Sequence, residues 1–84
     1  MKRALVEIVA QYALFLERAG ESELPLEVSV RQQEDLAFRL QKLDPEERSE
    51  FIELLREVAG EMSSEEDRRI LQRLPADVGI SDGF

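Results

Sequence analysis

Eighty-four residues suit a single domain, and 19 acidic against 11 basic side chains give the chain a net charge of −8. The absence of histidine, cysteine and tryptophan excludes disulfides, thiolate metal sites, iron–sulfur clusters and imidazole acid–base chemistry. Hydrophobic residues at 43% suffice for a core, and the acidic balance disfavours direct binding to nucleic acid or to anionic membranes.

The opening Met1-Lys2-Arg3 is basic like the start of a secretory signal, but Glu7 and Gln11 interrupt the apolar run and no small-residue cleavage site follows. No stretch approaches the roughly 20 apolar residues of a membrane span. The expectation is a soluble, cytoplasmic protein. The first predicted helix, about residues 2–19, carries Leu5, Ile8, Val9, Tyr12, Leu16 and Ala19 at helical spacing, which marks them as its core face. Ala4, Val6, Ala10, Ala13, Leu14 and Phe15 spread apolar surface around most of the remaining circumference, and only Glu7, Gln11 and Arg18 form a narrow polar stripe. A helix of this kind is central, or it carries an oligomer interface beside a core face. On the second option a homodimer follows, with Ala10 and Leu14 on the flank expected to control it.

Gly20 is expected to end this helix, and the acidic, Pro25-containing stretch from Glu21 to Glu27 is expected to be a loop. The second helix, about 29–43, starts at Ser29, whose spacing to Gln32 suits a capping box. It places Leu36, Ala37, Leu40 and Leu43 inward and turns Phe38 away from them. Asp44-Pro45-Glu46-Glu47 is a strong helix start: an N-cap, a proline at the first position and a glutamate completing the capping box. The third helix, about 45–61, buries Phe51, Ile52, Leu55, Val58, Ala59 and Met62. Ser63 with Glu66 suggests another capping box ahead of a fourth helix over about 64–74, which contributes Ile70, Leu71 and Leu74 and stops at Pro75. The tail, 75–84, has no helical period, although Val78, Ile80 and Phe84 are apolar enough to dock. No convincing strand pattern occurs. The reading is one all-α domain, a small bundle of three to four helices with an irregular C-terminal tail.

The charge is localised. Residues 44–62 carry −5 and residues 21–27 carry −3, whereas residues 1–20 and 28–43 are each +1. Within the third helix Glu46, Glu50, Glu53, Glu57 and Glu61 follow steps of 4, 3, 4 and 4, so they form one stripe opposite Phe51, Leu55 and Val58. Neighbouring glutamates repel by roughly 0.2–0.5 kcal/mol per pair; Arg56 relieves Glu53 in part, but no lysine stands at the i+4 positions that would balance the row. Either the stripe is a solvated face, serving helix propensity and solubility, or it is a docking surface for a basic protein. On the docking reading the partner-binding residues are Glu46, Glu50, Glu53 and Glu57, with Phe38 as an apolar anchor and Glu21, Glu23 and Glu27 as extensions. Paired-carboxylate catalysis needs an enclosed acid with a raised pKa. The only acids on the first helix, Glu7 and Glu17, read instead as solvent-facing or paired with Arg3 and Arg18. Asp77 and Asp82, or Glu65-Glu66-Asp67, lack the convergence a hard metal requires. No catalytic, cofactor-binding or metal-binding residue is assigned.

Tyr12-Ala13-Leu14-Phe15-Leu16-Glu17, the run from Gln33 to Leu43, and Asp44-Pro45-Glu46-Glu47-Arg48 together resemble small, acidic, all-helical bacterial proteins, some of which look like the immunity partners of secreted toxins. The resemblance covers roughly residues 5–59. It implies a non-enzymatic protein that binds and blocks a cognate toxin domain in the cytoplasm. Two other readings stay open: a DNA-mimicking inhibitor of a nucleic-acid enzyme, and a homo-oligomeric assembly subunit built on the first helix.

Overall fold

The computed structural model describes residues 1–22 and 25–80, with side chains over 1–18 and 25–80. The side chains of Ala19 and Glu21, and residues Glu23, Asp82 and Phe84, lie outside these. The described residues form four helices and no strand: α1 (Arg3–Ser22), α2 (Leu26–Leu40), α3 (Pro45–Gly60) and α4 (Glu65–Asp77). This is the all-α bundle expected. α1 is its centre, packed against α2, α3 and α4, while α3 also packs on α4.

The core is built from Val6, Ala10, Ala13, Leu14 and Leu16 of α1, Leu40 of α2, Phe51, Leu55, Val58 and Ala59 of α3, and Ile70, Leu71 and Leu74 of α4. A fully buried side chain of the size of Phe51 or Leu71 stabilises by about 1.5–3 kcal/mol relative to exposure. In α1 the core takes only part of the expected face: Leu16 is buried and Val9 packs against the core, but the rest of the buried face is Val6, Ala10, Ala13 and Leu14. Leu5, Ile8 and Tyr12 are exposed, and Ala10 and Leu14, expected on an oligomer flank, are at 0% and 1% exposure. Three helices converge on α1, and the alanines at 10 and 13 let them approach closely in a way the bulkier phase would not.

Helix boundaries also differ, α2 ending at Leu40 rather than at about Leu43. α1 continues through Gly20 to Ser22. α2 begins at Leu26, because the Pro25 carbonyl already accepts from the Val28 and Ser29 amides at 3.0 and 3.2 Å. Ser29 therefore caps nothing: it is buried inside the helix, and its hydroxyl donates to the Leu16 carbonyl at 3.1 Å, tying α2 to α1. At the start of α4 the cap is Ser64, whose hydroxyl accepts from the Asp67 amide at 3.3 Å, rather than Ser63 with Glu66.

α4 also runs through Pro75 to Asp77. Proline gives up one amide donor here, but its ring is buried and the helix closes two residues later. Gly79 at φ +77° makes the turn: its amide donates to the Ala76 carbonyl, the Ile80 amide donates to the Pro75 carbonyl at 2.9 Å, and Ile80 is completely buried. This paired bonding with an apolar clasp is a Schellman ending, and it docks Val78 and Ile80 in what looks from sequence like an irregular tail. The α3 start is as expected: the Glu47 amide donates to Asp44 Oδ1 at 2.8 Å and the Asp44 amide to Glu47 Oε1 at 3.1 Å.

Candidate functional site

Two surfaces stand out, one charged and one apolar, on different sides of α1. The charged one is the outer face of α3. The period that buries Phe51, Leu55 and Val58 leaves Glu46, Glu50, Glu53, Glu57 and Glu61 exposed in one row. Cations for part of the row arrive from the beginning of the chain. The Met1 amine lies 2.9 Å from Glu50 Oε2. The Arg3 guanidinium reaches Glu61 at 2.5 Å, Glu57 at 3.7 Å and, on its own helix, Glu7 at 3.4 Å. Arg3 holds the Glu61 carboxyl below the usual carboxylate range, first through the hydrogen bond it donates and then through its charge, and Glu61 raises the Arg3 guanidinium in the same way. Glu46 and Glu53 have no ion-pair partner among the described residues. The four predicted partner-binding glutamates therefore divide into two engaged internally, Glu50 and Glu57, and two open.

Phe38 is 59% exposed on α2, as expected. The structure does not bring it into the glutamate row, because α2 and α3 each pack on α1 with little or no direct contact between them. Its ring is instead covered by the Lys42 ammonium, 4.5 Å from the centroid, a cation–π contact that makes the spot locally positive. Glu27, the described member of the predicted loop acids, is exposed in the first turn of α2.

The apolar surface joins Leu5, Ile8 and Tyr12, expected on the core face, with Phe15 from the remaining circumference. Leu5, Ile8, Tyr12 and Phe15, at 56%, 65%, 39% and 50% exposure, follow steps of 3, 4 and 3 and make one ridge along α1. The Tyr12 hydroxyl donates to Gln32 Oε1 at 3.1 Å, so α2 borders the ridge on one side. Gln11 and Glu7 border it on the other. The signal for the ridge was present in the sequence: α1 carries two apolar phases, and one helix face cannot bury both.

A groove of about 210 Å³ between α1, α2 and α4 is lined by apolar side chains including Leu16, Val30, Leu36 and Leu74, with Glu17, Glu34 and Asp77 at its edge. Among the described residues no three His, Cys, Asp or Glu side chains converge as a metal site would require. No helix among them is long and apolar enough to cross a membrane. No protein-family model matches the chain, and neither the curated proteins nor the solved structures offer a match.

Proposed function

We propose that this chain is a protein-binding module with no reaction of its own, and specifically an immunity-type inhibitor that neutralises a basic toxin or effector domain in the cytoplasm. The observation that carries this reading is the segregation of charge. α3 offers solvent a row of carboxylates of which Glu46 and Glu53 have no ion-pair partner among the described residues, so a basic partner would supply a countercharge there. Such a row steers encounter and raises the association rate, whereas lasting affinity comes from apolar contacts. Phe38 supplies an apolar contact only after Lys42 is displaced from its ring, a step that costs a cation–π contact of about 0.5–1 kcal/mol at an exposed site.

The test begins by cross-linking the chain to its partner in cells and identifying the partner by mass spectrometry. Association of the purified pair is then followed by stopped flow across salt. The rate is expected to fall at least about tenfold as salt rises through the range where the Debye length shrinks from about 10 to 3 Å. Glu46→Lys with Glu53→Lys is expected to slow association without altering the circular dichroism. These two are cleaner probes than Glu50 and Glu57, whose reversal would also break pairs with Met1 and Arg3. A salt-insensitive rate refutes the electrostatic part of the reading.

A further inference from the structure

We infer that the Leu5–Ile8–Tyr12–Phe15 ridge of α1 is a self-association surface, on which a second copy of this chain lays its own α1 antiparallel to form a two-fold dimer. The inference uses a face separate from the α3 carboxylates and does not depend on the function proposed for them.

Three observations select a second copy as the occupant. The first is self-complementarity. The N-terminal half of the ridge is aliphatic, Leu5 and Ile8, and the C-terminal half is aromatic, Tyr12 and Phe15. With a two-fold axis between Ile8 and Tyr12, antiparallel pairing sets Ile8 against the partner's Tyr12 and Leu5 against the partner's Phe15. Each layer then joins one aliphatic and one aromatic side chain, and the same patch serves both subunits, as a closed two-fold interface requires. The 3-4-3 spacing is also that of a helix-pairing seam.

The second observation is area. Aromatic side chains bury roughly 150–250 Å² each, so the half-exposed Phe15 and the other three residues leave about 400 Å² of apolar surface per copy open. Val28, 39% exposed on the adjoining helix, and the polar rim of Gln11 and Gln32 bring the total for two copies to about 1,000–1,400 Å². That clears the roughly 1,000 Å² expected of a specific interface, and about 400 Å² of contiguous apolar surface is the size of the largest patch on a typical monomer, which is often functional. The third is charge. A chain of −8 would resist pairing if most of its acids bordered the contact, but residues 44–62 carry −5 while α1 and α2, with two basic and three acidic side chains each, carry only −1 apiece. The rim carries both signs, Glu7 and Asp35 against Arg31 and Arg39.

The chain has one tyrosine and no tryptophan, so its intrinsic emission reports on this ridge alone. Sedimentation equilibrium of the full chain over about 1–100 µM is expected to show a mass rising to twice 9.7 kDa, and acrylamide quenching of Tyr12 is expected to weaken over the same range. Ile8→Lys, placed on a side chain already 65% exposed, acts twice in a two-fold contact. It should weaken dimerisation at least about 100-fold with unchanged far-UV circular dichroism and concentration-independent quenching. Phe15→Lys gives the same result independently if the first variant loses helix. Glu46→Lys with Glu53→Lys should leave the dimer intact. A wild-type mass of one chain at every concentration overturns the inference, as does association that survives both ridge substitutions. Monomers whose Tyr12 becomes shielded only on phosphatidylcholine vesicles would overturn it too, by assigning the ridge to a lipid surface.

Discussion

Gly79 and Gly60 illustrate how differently one residue type can be constrained. Gly79 is held at φ +77°, where a Cβ costs roughly 1–2 kcal/mol. A methyl there would also stand 3.1 Å from Gln41 Nε2, the amide that donates to the Val78 carbonyl at 2.8 Å and fastens the end of α4 to the start of the α2–α3 connection. Gly79→Ala is therefore expected to destabilise by about 1–2 kcal/mol, which thermal denaturation reads as a drop of roughly 4–8 °C per kcal/mol in a domain of this size. Gly60 closes α3 with nothing within 4 Å of a built Cβ. Gly60→Ala should raise stability by up to about 1 kcal/mol, chiefly by restricting the unfolded chain. A shift of the same sign in both variants would contradict the geometry given for the two positions.

Helices show where local rules suffice and where they do not. The α3 start is local: proline, N-cap and capping glutamate lie within four residues, and all their bonds close among themselves. Asp44→Ala should cost about 1 kcal/mol, within a range of roughly 0.5–2, measurable as a lower urea midpoint with an unchanged slope. The orientation of α1 is not local. Its sequence offers two apolar phases, and spacing alone cannot rank them. Leu14→Ala should cost about 2–5 kcal/mol because Leu14 is in the core, whereas Leu5→Ala on the ridge should stay within about 0.5 kcal/mol in the monomer. Equal effects of the two substitutions would reject the phase observed. Pro75 lies inside α4 rather than ending it for a similar reason. Its imino nitrogen is a genuine obstacle to a helix, but a buried ring and the Schellman closure around Gly79 outweigh it, and both depend on what packs against the end of α4.

Across the molecule, the charge that sequence arithmetic places on α3 is partly answered by the other end of the chain. Arg3 and Glu61 are 58 residues apart in sequence. Because Glu61's carboxyl is held below its unfolded value near 4.3, the pair contributes its stability fully above that value, and the contribution is lost as pH falls through the depressed pKa. Glu61→Gln is therefore expected to lower neutral-pH stability and to flatten the fall in stability below about pH 4 in acid unfolding followed by circular dichroism, an effect that high salt should diminish since the pair is largely exposed. An unchanged acid profile would show that water and salt already screen it. The same pairing bears on the proposed function: Glu61 and Glu57 are engaged by Arg3, and Glu50 by Met1, so Glu46 and Glu53 are where a cationic partner would meet least internal competition.

From its sequence this protein is legible as an all-helical domain with an acidic third helix, an outward Phe38 and a core of Phe51, Leu55 and Val58. All of these follow from periodicity, caps and charge counts over a few turns, interactions that close between near neighbours. Packing around α1 settled the rest. It determined which apolar phase faces inward, which glutamates have cations, that Phe38 and the α3 row are on separate helices, and that Val78 and Ile80 are core. Each of these depends on which surfaces meet across long stretches of chain, where shape and side-chain volume choose among arrangements that the local pattern leaves equal.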